Sequence, residues 1–387
     1  MNHLGFLKDF LPYRMKRQVK ELFASTILVN LALSMVMIFE PIYLYKIGYS
    51  LQKIMLFYLI AYFVYFFIMP LGAKFARKQG YELGIFFGTV LFSLFYIGLF
   101  FIEQYSFLFY LVPLVLALQK TFYWPAYHAD FARFSDDSEE GREISGLTTA
   151  VSLVYIIGPA LAGFIIVNWG FSALFTLATV IFLASNIPTL ITKEKFEKKD
   201  FSYIGAYKYL ISKKNRKSFL AYLGFGEELI VLVVWPVFIS IIITDLFDLG
   251  LIITLATLVT SVLTLYIGKI TDFKNKKSIL SLGSSFYALA WFARIFTINK
   301  LGIFVISTFS RLSKNVIAVP LTAITYERAK ARSVMSTVVF FEMSLVVGKF
   351  IAILLIYLSL FFITNEMIAF KLTFILAGGM SLLYLLL

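Results

Sequence analysis

The chain has 387 residues, 60% of them hydrophobic and 15% charged, with a net charge of +13 and no cysteine. Soluble domains carry about 45–50% apolar and about 25% charged residues, so this composition excludes an ordinary water-soluble globule. The lack of cysteine excludes disulfide, thiolate and cysteine–zinc chemistry.

Uncharged runs place the elements. Residues 54–73, 83–102 and 249–268 contain no Asp, Glu, Lys or Arg, and 144–192 is free of charge for 49 residues. A bilayer crossing takes about 20 apolar residues, so the last stretch predicts two helices joined at Asn168-Trp169-Gly170. Residues 22–39 are too long an apolar run for a signal-peptide core, which predicts an uncleaved first span. In chain order, twelve membrane helices are expected at about 22–47, 53–74, 82–102, 107–131, 145–168, 171–192, 218–244, 249–271, 278–298, 301–325, 332–362 and 366–387. The fold class is therefore an all-α membrane protein.

The basic residues set an orientation. With the N-terminus inside, the inner segments hold 26 Lys and Arg and the outer loops hold 4. That asymmetry predicts a multi-pass protein of the cell membrane (plasma or inner) with both termini cytoplasmic. It also accounts for the charge of +13 without a nucleic-acid partner. The implied division is a cytoplasmic arm at 1–20, a six-helix bundle at 21–192, a basic linker at 193–217 and a second six-helix bundle at 218–387. In the linker, Tyr203, Tyr207, Leu210 and Ile211 recur at helical spacing among lysines, which predicts an amphipathic helix on an anionic leaflet. A disordered basic linker is the alternative.

A shift of about 195 residues superimposes the two halves. Pro41 falls on Pro236, Pro125 on Pro320, Arg133 on Arg328, and Gly72 within one residue of Gly268. A doubled six-helix unit in one orientation is the parallel-repeat plan of a transporter with its site between the halves.

Six plus six helices around a basic middle segment resembles the major facilitator superfamily, and three local patterns carry the likeness. After the second span that family has Gly-x-x-x-Asp-Arg-x-Gly-basic-basic. Here Gly72 and Arg77-Lys78 are present, with Ala76 in place of the acid. After the eighth span, Gly268, Asp272, Lys274, Lys276 and Lys277 keep the acid and the basic pairs, with Asn275 where glycine is usual. The resemblance implies that these loops gate the inner ends of the helices. The third pattern, Gly158-Pro159-Ala160-Leu161-Ala162-Gly163, is similar to the Gly-Pro-x-x-Gly-Gly signature of exporters and antiporters, where it packs the fifth helix closely and bends it.

An ionisable group at mid-bilayer costs about 2.5–3.5 kcal/mol on insertion scales, so each needs a partner or a function. The first span has Glu40, the seventh Glu227 and Glu228, and the eleventh Glu342 and Lys349. Lys120 lies on the fourth, Arg294 on the ninth, and Arg311 and Lys314 on the tenth. The resemblance implies that the first, fourth, seventh and tenth helices line the central cavity. Glu40, Lys120, Glu227, Glu228, Arg311, Lys314 and Glu342 are therefore expected along a substrate and proton pathway, with Asn30, Tyr123, Trp124 and Trp235 as polar or stacking contacts.

Glu227 and Glu228 sit about 100° apart around a helix, so only one can face a given direction. Burial favours the neutral form of a carboxyl group, which suits one of them to carry a proton. The alternative is an ion pair with Lys120, Arg311 or Lys314. Those cations either attract an anionic group on the substrate or only neutralise the glutamates. Arg294 is expected to snorkel to the interface from a peripheral helix.

The expected function is secondary transport of a small organic solute by alternating access, as proton-coupled export or antiport. The alternatives are proton- or sodium-coupled uptake, and lipid or lipophile flipping by the same fold. No cofactor or metal is expected, nor an oligomer. An enzyme is not expected, since only His3 and His128 occur and no long external loop does; an ATP-driven pump lacks its Gly-x-x-x-x-Gly-Lys loop.

Overall fold

The computed structural model describes residues 17–134, 140–191, 198–271, 276–330 and 334–387; Asp272, Lys274 and Asn275 lie outside these. Among the described residues the chain is helical and has no strand. The helices are α1 Arg17–Val36, α2 Phe39–Lys46, α3 Leu51–Gln79, α4 Tyr81–Phe101, α5 Leu108–Phe134 and α6 Glu140–Ala184. There follow α7 Tyr203–Leu210, α8 Arg216–Tyr222, α9 Gly226–Leu229, α10 Trp235–Ile242 and α11 Leu246–Thr271. The last four are α12 Lys276–Ala293, α13 Lys300–Lys330, α14 Val334–Ser359 and α15 Glu366–Ser381. Nine helical stretches among the described residues are long and apolar enough to cross a membrane. This is a multi-pass membrane protein.

Proline and glycine punctuate these helices. Pro41 has no N–H, so the carbonyl four residues earlier loses its partner, and the chain turns at Met37-Ile38 between α1 and α2. Gly170 adopts φ 80° and breaks α6 where the sequence placed the turn. Ser50 and Asn365 cap α3 and α15 by accepting the N–H of Lys53 and Ile368. The segment read as one seventh span is broken. Short 3₁₀ and π turns flank α9, and the π turn at Ile230–Val234 runs into Trp235-Pro236. π turns inside helices occur often at functional sites.

Lipid does not drive helices together, so close packing and polar contacts must do so. At Gly72 a Cβ would come within 1.8 Å of the Thr121 carbonyl oxygen, so α3 and α5 cross almost backbone to backbone. Gly72 was expected before a loop, but α3 continues to Gln79, and Arg77 and Lys78 are helical as well. The turn comes at Gly80, with φ 118°.

The linker departs in part from expectation. Tyr203–Leu210 is helical, with Ser202 accepting the Gly205 N–H, and Leu210 is buried. Ile211, expected on the apolar face, is 80% exposed. The tyrosine hydroxyls face protein: Tyr207 donates to the carbonyls of Phe66 and Phe67 at 3.1 Å each, and Tyr203 to Phe67 at 2.9 Å. Pro70 explains this choice, because its missing N–H leaves the Phe66 carbonyl without a helical partner. The Tyr207→Phe variant is expected to lose about 1 kcal/mol and to loosen the linker. Limited proteolysis should cut it faster within 198–217; an unchanged cleavage rate would show that the bond carries no load.

Candidate functional site

Three adjoining cavities, of about 380, 480 and 220 Å³, lie among the helices and share Glu228 in their walls. The first is built on α1, α6 and α9–α13. Glu227 is fully buried and forms an ion pair with Lys314 of α13. Its carboxylate also accepts the hydroxyls of Tyr287 at 2.6 Å and Tyr384 at 3.0 Å, and Lys314 donates to Tyr384 at 3.0 Å. A charge buried this deeply persists only when its acceptors are filled, and here one ammonium and two phenols fill them.

Arg294 lines the same cavity and corrects the sequence reading. It is 2% exposed, with its guanidinium 3.7 Å from the Trp291 ring and 4.4 Å from Trp235, and it donates to Ser310 at 2.8 Å. Cation–π stacking and this bond hold it inside, where an interfacial position had been expected.

The second cavity has a different chemistry. Glu40 accepts the hydroxyls of Tyr58 at 2.6 Å and Tyr96 at 3.0 Å and has no cation in contact among the described residues. Lys120 points over the Tyr62 ring at 5.5 Å and makes no hydrogen bond or ion pair there. Glu342 bridges three helices. It accepts the Tyr65 hydroxyl of α3 at 3.3 Å, while Nε2 of His128 on α5 stands 3.3 Å from its other oxygen. The latter contact becomes an ion pair when the imidazole is protonated.

Glu228 stands at the junction. Its side chain is 33% exposed, and Lys349 of α14 meets it at 2.6 Å. Helical geometry allows one of the two adjacent glutamates to face inward and packs the other away. Glu228 lines all three cavities, whereas Glu227 borders only the first and has its carboxylate held by α12, α13 and the C-terminal turn.

The Major Facilitator Superfamily family model matches residues 22–242, more than half of the chain. The chain belongs to the major facilitator superfamily. Comparison with curated proteins found no match.

Gly158-Pro159 and Gly163 lie in α6 at its closest approaches. A Cβ on Gly158 would meet Ser34 of α1 at 2.0 Å, and one on Gly163 would meet the Leu246 carbonyl of α11 at 2.5 Å. Of the loop residues, Arg77 donates to Tyr81 at 3.5 Å, and Lys78 lies 4.0 Å from Asp200 in the linker. Gly268, Lys276 and Lys277 fall at the facing ends of α11 and α12.

Trp124, stacked on His128 with centroids 5.6 Å apart, lines the second cavity, and Trp235 lines the first. Two expected pathway residues are not brought to any of the three cavities. Asn30 donates to the Thr26 carbonyl of its own helix. Tyr123 packs in the core, where a Cβ on Gly88 would meet it at 2.6 Å. The tyrosines that hold Glu40 and Glu227 were missed, as was the Lys349 partner of Glu228. Tyr287, Trp291 and Arg294 at i, i+4 and i+7 were readable as one helix face.

Proposed function

We propose that this major facilitator is a secondary active transporter that moves a small organic solute by alternating access and exchanges it against protons at Glu228. The observation that carries this reading is the placement of Glu228 in the walls of all three cavities, ion-paired to Lys349 and partly exposed. Protonation of Glu228 releases Lys349, and a released charge favours a rearrangement of α9 against α14. Proton and solute then compete for one set of charges, which is the requirement for antiport.

The twelve-span arrangement fits the same reading. The 35 residues Ala150–Ala184 would run about 52 Å as one helix, far beyond a bilayer, and break at Gly170 into two spans. α5 and α13 add two more; Lys120 on one and Arg311 and Lys314 on the other lower their mean hydropathy. The halves then meet along α3 with α14 and α6 with α11. The distribution of basic residues supports a cytoplasmic side for both termini.

Proteoliposomes carrying a pH gradient test the coupling. Wild type is expected to accumulate or expel solute with the gradient. Glu228→Gln should keep solute exchange between equal pools and lose gradient-driven movement. Gradient-driven transport by Glu228→Gln at the wild-type rate removes Glu228 from the coupling role.

A further inference from the structure

The first cavity holds hydrogen-bond donors without acceptors. Arg294 uses one guanidinium nitrogen on Ser310, while Nε and Nη1 are buried without a partner. Ser307 is 2% exposed and its hydroxyl has no hydrogen bond, although a serine in a helix normally bonds the carbonyl one turn back. Arg311, one turn after Ser307 on the same face of α13, makes no hydrogen bond or ion pair among the described residues. All three line the one cavity. The carboxylates nearby are engaged, Glu227 by Lys314 and two tyrosines and Glu228 by Lys349.

The charge count agrees. Glu40, Glu227, Glu228 and Glu342 line the first two cavities, against Lys120, Arg294, Arg311, Lys314 and Lys349. One positive charge is left over at neutral imidazole, and protonation of any carboxylate adds another. An uncompensated guanidinium inside a membrane protein is costly, and the described residues supply no partner for Arg311, which leaves that place to a bound anion.

We propose that Arg294, Ser307 and Arg311 form an anion-binding subsite and that the transported solute is an organic anion, with a carboxylate or phosphate head and an apolar or aromatic body. The head takes the donors of Ser307 and Arg311 with Arg294 behind them, a planar fork suited to either oxyanion. The body lies along Val231, Leu232, Trp235, Ile239 and Ile253 of the same cavity. A volume of about 380 Å³ suits a small organic molecule. The identity of the solute rests on the transporter reading; the subsite does not.

The test uses the full-length protein in detergent and measures binding by thermal shift and calorimetry. Four classes of probe share similar bodies: aryl and alkyl carboxylates of graded length, their phosphate monoesters, the matching neutral alcohols, and the matching amines. Anions are expected to bind and stabilise, and alcohols and amines are not. The carboxylate and phosphate arms decide which head the site prefers. Arg311→Gln should weaken the anion by about 10- to 100-fold, the range of one charge-assisted hydrogen bond. Ser307→Ala should weaken it by about 3- to 10-fold while leaving the fold as stable or more so, since it removes a buried hydroxyl without a partner.

If Arg311→Gln does not fold, the probe ranking on wild type and the Ser307→Ala ratio still decide. The subsite is overturned if amines bind better than anions or if no anion stabilises the protein at millimolar concentration. It is also overturned if Ser307→Ala raises stability without changing anion affinity. Anion binding with this dependence but no solute flux in vesicles would leave the subsite standing and remove the transporter reading. Flux without anion binding would do the reverse.

Discussion

Replacing Lys314 with alanine is expected to destabilise the protein by about 3–5 kcal/mol, the typical cost of stranding one partner of a buried ion pair. Glu227 is fully buried, and Lys314 is its sole cationic contact among the described residues. The tyrosine hydroxyls of Tyr287 and Tyr384 remain, but two phenols do not neutralise a charge in a low-dielectric interior. The double variant Glu227→Gln with Lys314→Met should recover most of the loss. A neutral amide keeps an acceptor for one phenol and offers a donor to the other, and methionine fills the lysine stem. Thermal unfolding of detergent-purified protein measures both. A single variant no less stable than the double would mean that Glu227 carries no charge in the folded protein.

This pair also shows how far a sequence reaches. The apolar stretches long enough to cross a membrane and the break at Gly170 were legible, because each follows from local rules about apolar length and positive φ. The charged residues were legible as a set, since an ionisable group in an apolar run stands out. Their partners were not. Whether Glu228 meets Lys349 or Lys120 depends on how α9 and α14 are rotated about their axes, and a broken, partly π-helical segment does not keep the rotation of an ideal helix.

The tyrosines were hidden for a different reason. Tyrosine serves equally as an interfacial anchor and as a buried donor, and its type alone does not say which. Tyr58 and Tyr96 become informative only once Glu40 is seen between them. Arg294 was misplaced although its face was readable, because an arginine near a helix end usually snorkels. The two tryptophan rings that hold it belong to different helices, α10 and α12.

The second large effect is expected where α6 and α11 touch. A Cβ on Gly250 would stand 2.2 Å from the Pro159 carbonyl oxygen, so Gly250→Val drives a branched side chain into backbone that cannot move aside. Overpacking of this kind costs about 1–3 kcal/mol or more when it is absorbed within one state. A transporter has another way to absorb it. Ala160 also donates its N–H to Thr254, and the Gly163–Leu246 contact lies at the same end, so a wedge at Gly250 pries α6 from α11 there. Ser152 and Ser261 line the first cavity further along the same two helices. The chain has no cysteine, so one introduced at Ser152 reports alone. In the Gly250→Val background its labelling by a membrane-impermeant maleimide, added from the Leu246 side, should rise several-fold. The helices then part at this contact as the cavity opens. Unchanged labelling in a stably folded Gly250→Val protein would mean that this glycine serves packing alone and that the opening lies between other helices.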